Sequence, residues 1–311
     1  MTNGVHAPQE FIAYRRLAAV PGLEVLDAYY SPRVWRDVGM GYAVTFLRTW
    51  RGNVYYRGRN HTVEPGVAFC NHPAEALVAS PHAGEAGSFN VLIIAPEVLR
   101  EWLTEYQPGT LRPHWRAIAQ PITEQLSSRF RHFLGSYEPN ASGMELQSDA
   151  TELSESLIRE LVSGAHEDPL HDGPHIRGTA RMRECLNEEG IDVDLATLAR
   201  KAGLSRFQAL RAFKRRYGLP PHAYQLCLRV SRAKLMLLDG AAPADVAAHC
   251  GFVDQSHFNR HFKRIVGVTP TQYGASCAGS KTRSSGVFKV GTLIETDPSL
   301  VVTRSDRRRV R

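Results

Sequence analysis

The sequence predicts an α+β chain with an antiparallel β-barrel in front, a helical segment behind it, and an all-α unit holding two helix-turn-helix motifs joined by one linking helix. Three observations carry this. Short β-branched and aromatic runs separated by Gly, Pro and Asn fill the front third. Apolar residues then recur at helical spacing. Finally, the string R-x-F-K-R-x-x-G occurs twice, at Arg211 to Gly218 and at Arg260 to Gly267, so the back of the chain contains an internal repeat.

In the front third, Tyr42 to Leu47, Asn53 to Arg57, His61 to Val63, Val67 to Cys70 and Phe89 to Ile94 have strand composition. NVYYRGRNHTVEPGVAFCN predicts a hairpin turning at Gly58 and a second turn at Pro65-Gly66. Behind it, Trp115, Ile118, Ile122, Leu126, Phe130 and Phe133 step by three and four, as do Leu146, Ala150, Leu153, Leu157 and Leu161. Two amphipathic helices follow, the first kinked or delayed by Pro121. Their stripes serve either a dimer contact or the closing of the front core. The expected organisation is 1–110 barrel, 111–165 helical segment, 166–176 linker, 177–276 helix-turn-helix unit and 277–311 basic, unstructured tail; the linker composition itself starts near Ser163. VFKVGTLIE within that tail has no reading.

Each repeat unit has the same grammar. LATLARKAGLS and ADVAAHCGFVD each give a short apolar helix, a Gly turn and a capping residue. In the second helix of the later unit, Phe258, Phe262 and Ile265 share one face, with His257, Arg260 and Arg264 opposite; Gly267 and Thr269-Pro270 end it. In the earlier unit Ala209 and Phe213 turn inward while Phe207, Arg211 and Lys214 turn out, flanked by Gln208 and Arg215. Pro221 to Leu238 reads as one helix between them, entered at prolines and closed by Gly240. At about 1.5 Å per residue it spans roughly 27 Å, and adding the widths of the two motifs brings the two outer helices to about one DNA turn of separation.

Charge is divided in the same way. Residues 1–173 carry 14 Lys+Arg against 20 Asp+Glu, residues 174–276 carry 16 against 8, and residues 277–311 carry 8 against 3. A basic back half fits a phosphate-binding module. With 43% apolar residues over 311 positions the chain can bury two cores. It has no apolar run of about 18 residues, and MTNGVHAPQE has no secretory pattern, so a cytoplasmic, nucleoid-associated protein without membrane contact is expected. Cys70, Cys185, Cys227, Cys250 and Cys277 form no CxxC pair and are expected reduced, Cys227 and Cys250 as small buried side chains.

The back half, Ile176 to Ala275, resembles the AraC/XylS family of bacterial transcription regulators, through the duplicated motif, GF-x-DQS-x-F-x-R-x-FK and GVTPTQY. The resemblance implies a sequence-specific DNA-binding regulator, usually an activator, with double-stranded promoter DNA, RNA polymerase, a small-molecule effector and a second copy of the chain as partners. It places base contacts at Phe207, Leu210, Arg211, Gln255, Ser256, His257 and Arg260, and phosphate contacts at Ser205, Lys214, Lys263 and Arg264. Leu210 departs from the polar residue common at its position, so its helix relies on shape and apolar contact. The front third resembles the cupin-like effector domain of the same family, which makes Tyr42, Tyr55, His61 and His72 candidate effector-lining residues. No His-x-His pair with a carboxylate is present, so neither a metal nor another cofactor is expected. A cupin-type metal enzyme fused to a DNA-binding module lacks its ligand set, a methyl-acceptor repair protein lacks an activated Cys, and a nonspecific nucleic-acid binder would not need duplicated reading helices. No enzymatic activity is expected.

Overall fold

The computed structural model describes residues 9–16, 20–106, 113–136, 143–163, 174–188 and 193–277. Nine strands come first: β1 Phe11–Arg16, β2 Leu23–Ser31, β3 Trp35–Val38, β4 Tyr42–Leu47, β5 Gly52–Tyr56, β6 Arg59–Val63, β7 Val67–Asn71, β8 Ala76–Pro81 and β9 Gly87–Ile94. Then follow α1 Pro96–Tyr106, β10 His114–Trp115, β11 Ala119–Pro121, α2 Glu124–Gly135, α3 Gly143–Leu161 and β12 Val162–Ser163. Seven helices complete the order: α4 Pro174–Glu188, α5 Leu195–Ala202, α6 Arg206–Tyr217, α7 Pro221–Leu238, α8 Pro243–His249, α9 Gln255–Val266 and α10 Pro270–Cys277. Of the expected linker at 166–176, residues 166–173 lie outside the described residues and 174–176 open α4; of the expected tail at 277–311, Cys277 ends α10 and the rest lies outside the described residues.

The front strands form two antiparallel sheets rather than the closed barrel expected. One has the order β1-β2-β9-β4-β7-β11 and the other β3-β8-β5-β6. No hydrogen-bonded strand pair joins them among the described residues. The expected turns are present: Gly58 at φ 77 after Arg57 at φ 50 closes the β5–β6 hairpin, and Gly66 at φ 88 feeds β7.

Both faces of the six-stranded sheet are covered, and the pleat decides which residue faces what. In β4, Val44 and Phe46 turn towards α1, α2 and α3, joined there by Val25, Ala68 and Leu92. The alternate set, including Leu26, Ala28, Leu47, Phe69 and Phe89, turns towards the four-stranded sheet and the back helices. Both amphipathic stripes are used inside the chain: Leu126, Phe130 and Phe133 with Leu153, Leu157 and Leu161 cover the first face. The first helix starts later than its periodicity suggests. Trp115 lies on β10 and Ile118 and Ile122 flank β11; only past Pro121 does Thr123 cap α2, accepting from the Leu126 N–H at 3.1 Å.

The back helices pack directly on the second face. One continuous apolar core joins Ile12, Tyr14 and Leu26 to Val230, Leu237, Phe258, Phe262 and Tyr273. Polar links cross the same boundary. The Tyr14 hydroxyl donates to Val266 O at 3.2 Å, Ser231 Oγ to Val38 O at 2.7 Å, and Tyr224 Oη to Ala74 O at 2.8 Å. The Tyr273 hydroxyl reaches Glu24 Oε1 at 2.8 Å, and Lys234 Nζ lies 3.4 Å from Glu24 Oε2.

Inside the front part, His72 is buried. Its Nδ1 lies 3.2 Å from both the Tyr56 hydroxyl and Arg57 Nη2. Burial, then the nearby Arg57 cation, pulls its pKa down from 6.5 to about 3. The unfolded chain therefore takes up a proton that the folded chain refuses, and His72 removes stability as pH falls from 6.5 towards 3. His72→Gln is expected to flatten the decline of the unfolding free energy, measured by urea denaturation, between pH 6.5 and 5 by up to about 1.4 kcal/mol per pH unit. An unaltered slope in that window would refute the assignment.

Candidate nucleic-acid interface

The two repeat units fold alike, from local chemistry upward. Asp194 caps α5 by accepting the Thr197 N–H at 2.8 Å; Gly203, at φ 68, ends it, and the Leu204 N–H turns back to Ala199 O at 2.9 Å. Ser205 opens α6 in a reciprocal capping box with Gln208, so the Gln208 amide is engaged at the helix entry. In the second unit α8 starts at Pro243, Gly251 at φ 71 makes the turn, and Phe252 N–H returns to Ala247 O at 3.0 Å. Asp254 Oδ1 then accepts the His257 N–H at 2.7 Å to open α9. Both second helices close on left-handed glycines, Gly218 at φ 75 and Gly267 at φ 94.

Matched positions of the repeat have matched environments. Phe213 and Phe262 are completely buried, whereas Arg211 and Arg260 are exposed. On α9 the buried stripe is Phe258, Phe262 and Val266; Ile265, expected in that stripe, is half-buried beside it. Both units are seated on α7, and Arg229 of that helix donates to Gly251 O at 2.7 Å, tying down the second turn.

The residues expected to face bases are not all alike. On α6, Phe207 is 67% and Leu210 36% exposed, and the Arg211 guanidinium lies 5.4 Å from the centroid of the Phe207 ring. On α9, Gln255, Ser256 and Arg260 are exposed, but His257 is half-buried, its ring 4.4 Å from that of His261. Among the phosphate candidates, Ser205 and Arg264 are exposed and Lys214 and Lys263 half-buried. Arg264 Nη2 lies 3.0 Å from His261 Nδ1. Burial, then Arg264, pulls the His261 pKa down to about 4, so at neutral pH its ring accepts from Arg264 and adds no positive charge. Sequence reasoning passed over Val253, which is 88% exposed in the turn before α9; an apolar residue directly after the Gly251-Phe252 turn was the available signal.

The four candidate effector residues are dispersed. Tyr42 and His72 meet edge to face beside Trp115, with the Tyr42 hydroxyl donating to Pro113 O at 3.1 Å. Tyr55 donates its hydroxyl to Arg215 O, at the end of α6, and packs beside Gly218. His61 stands near Phe69 on β6. None of the four lines the cavity of about 100 Å³ that lies between the two sheets and helices α7 and α9. That cavity is bounded instead by residues such as Trp50, Asn71, Asp37 and Phe89 from the strands and Val230 and Lys234 from α7. The period-2 alternation of Ala43, Thr45 and Leu47 could have pointed to it, but two of its walls come from helices nearly two hundred residues away. Among the described residues no group of three His, Cys, Asp or Glu side chains is placed to hold a metal. Burial pushes the Cys227 thiol up to about 12 and leaves it inert. No described helix is long and apolar enough to cross a membrane.

Residues 198–276 match the family model described as a helix-turn-helix domain. The chain is 33% identical over 273 residues to the arabinose operon regulatory protein of Salmonella typhimurium, covering 83% of this chain and 93% of that one. It belongs to the AraC family. The arabinose operon regulatory protein of Escherichia coli is 24% identical over 275 residues, covering 83% and 89%. Among solved structures, apo ToxT from Vibrio cholerae aligns at 11% identity with a TM-score of 0.48, over 83% of this chain and 99% of that one. As an AraC-family member the chain is a DNA-binding transcriptional regulator.

The α9 entry rests on one side chain. Asp254→Ala should lower unfolding free energy by about 0.5–2 kcal/mol, and Asp254→Asn by much less, because the amide oxygen still accepts. Equal losses for the two variants in chemical denaturation would show that the cap bond contributes nothing.

Proposed function

We propose that this AraC-family regulator reads promoter DNA by placing α6 and α9 in neighbouring major grooves. Phe207, Leu210 and Arg211 are the base-facing positions of the first helix, and Gln255, Ser256, His257 and Arg260 those of the second. Arg pairs with guanine O6 and N7, Gln with adenine, and the exposed apolar side chains meet thymine methyls. Ser205, Lys214, Lys263 and Arg264 hold the phosphates. The observation that carries this reading is the equivalence of Arg211 and Arg260: two cations at matched repeat positions, both exposed, each behind a fully buried Phe.

In this reading residues 1–110, built as two facing antiparallel sheets in the cupin-like manner, sense a small molecule. Residues 111–165 brace those sheets, 166–176 link them to the reader at 177–276, and 277–311 add cationic charge. The interdomain cavity supports placing the effector there. The role is regulatory rather than enzymatic, with RNA polymerase and a second copy of the chain as the partners that role implies, and activation as its usual sign.

The test is titration of full-length protein with a fragment captured from its own genome and with scrambled DNA at fixed salt. Arg260→Ala should cost about 1–3 kcal/mol on the captured site and relax one base position, while Lys263→Ala should weaken both DNAs alike and lower the salt slope by about 1. Retention of full discrimination by Arg260→Ala would count against the assignment.

A further inference from the structure

The cavity between the sheets and the back helices has a chemistry of its own. Most of its wall is apolar, from Leu26, Leu47, Val54, Phe69, Phe89 and Val230. Two of the polar lining side chains stand out. Trp50 and Asn71 are each only 2% exposed, and Trp50 Nε1 and Asn71 Nδ2 meet no acceptor among the described residues. Buried donors left without a partner are costly, and an indole N–H can only donate. Both therefore call for an oxygen acceptor.

Charge narrows the class further. Asp37 and Lys234 both border the cavity, so its formal charges cancel. Lys234 is already held: its Nζ is 3.4 Å from Glu24 and stands 4.9 Å and 5.1 Å from the ring centroids of Tyr14 and Tyr273. Asp37 is half-buried, and desolvation raises its pKa. An anion would meet the Asp37 carboxyl and a cation the Lys234 ammonium, each in a weakly screening interior. Size sets the last limit. A cavity of roughly 150 Å³ takes benzene, so one of about 100 Å³ suits a compact molecule of about six heavy atoms or fewer, with modest side-chain adjustment.

We propose that this cavity binds a small, uncharged, largely apolar molecule carrying a carbonyl oxygen, which accepts from Trp50 and Asn71, and that its binding fastens the DNA-reading helices to the front sheets. The second part follows from the walls. Val230 and Lys234 belong to α7, and Ile265 and Val266 to the last turn of α9. The next residue, Gly267, is seated so closely on Ile12 that a Cβ there would lie 2.5 Å from Ile12 Cδ1. The site is complete only while the two parts are docked, so a ligand that fills it stabilises the docked arrangement by mass action. This inference rests on the reading that the front sheets sense a small molecule and names what they sense.

The experiment uses ¹⁵N-labelled full-length protein and three probes of similar size: cyclopentanone, methylcyclopentane and isobutyrate. The Trp50 indole N–H resonance, assigned by its loss in Trp50→Phe, should move saturably with cyclopentanone, and the melting temperature should rise. Methylcyclopentane and isobutyrate should bind at least about tenfold more weakly, the former for want of a hydrogen bond to the buried donors and the latter through its charge. The double variant Trp50→Phe/Asn71→Leu should lose the cyclopentanone preference, and Val230→Phe, which fills the cavity from α7, should abolish the response. Tighter binding of isobutyrate than of cyclopentanone would overturn the neutral-carbonyl assignment in favour of a cation-directed site. Absence of any saturable shift would overturn the ligand site itself. Parallel titration of unliganded protein with the captured DNA fragment separates the two readings: intact discrimination with no ketone response sinks this inference alone, and lost discrimination sinks the proposed function.

Discussion

Helix α7 is the constraint on which the rest of the structure depends. It is buried on nearly every side, with Tyr224, Leu226, Cys227, Leu228, Val230, Ala233 and Leu237 all inaccessible, because each flank supports a different neighbour. Tyr224, Cys227 and Leu228 share a core with Phe213 of α6 and Leu198 of α5. Val230, Ala233 and Leu237 share another with Phe258 and Phe262 of α9. The two reading helices are thus fixed to one rigid rod, and their separation follows from its length rather than from any flexible joint.

The same rod connects the readers to the front sheets, and the character of that connection matters. A purely apolar joint would be hard to open. Here Glu24, Lys234, Tyr273 and Ser231 place charged and hydroxyl groups within it, and a buried ion pair returns little net stability once its desolvation is counted. What the polar set does provide is direction: Lys234 and Tyr273 converge on one carboxylate, so the docked arrangement has a defined register. An interface with so defined a register, shared between polar groups and an apolar core, is one whose occupancy a small ligand can shift.

The back half was legible in the sequence because its signals are local. Caps at Ser205 and Asp254, glycines at 203, 218, 251 and 267, and the stripe of Phe258 and Phe262 lie within a few residues of the elements they define. The front half was legible only where β-branched and aromatic residues form a compact run, as in β4 and β7. Strand β2 was missed because Glu24 and Asp27 interrupt its apolar run; both carboxylates are satisfied, but by Lys234 and Tyr273 far along the chain and by Arg15 and Asn90 across strands. Helix α1 escaped notice because its buried face is only Leu99 and Leu103. The periodicity from Trp115 to Ile122 imitated a helix, yet the backbone there pairs with β7 and β12, and Cys70 N–H donates to Ile118 O at 2.7 Å. The cavity could not be read at all, since its walls meet only after the two parts dock.

The duplicated motif does not make the two readers equivalent, and the difference has a consequence for recognition. In α6 the side chains beside Arg211 are Phe207 and Leu210, and the one nearby amide, Gln208, is engaged in its own capping box. In α9 Arg260 is accompanied by exposed Gln255 and Ser256, whose cap comes from Asp254 and leaves the amide out of that bond. The duplication therefore preserved the scaffold positions, Phe213 with Phe262 and Gly218 with Gly267, while the outer faces diverged. Apolar side chains distinguish thymine methyls and groove shape, whereas Arg and Gln distinguish individual base edges. In the proposed reading a DNA site under such a pair would be asymmetric: the half under α9 would be held to a tighter sequence than the half under α6, and a single protein molecule would set its own orientation on the duplex.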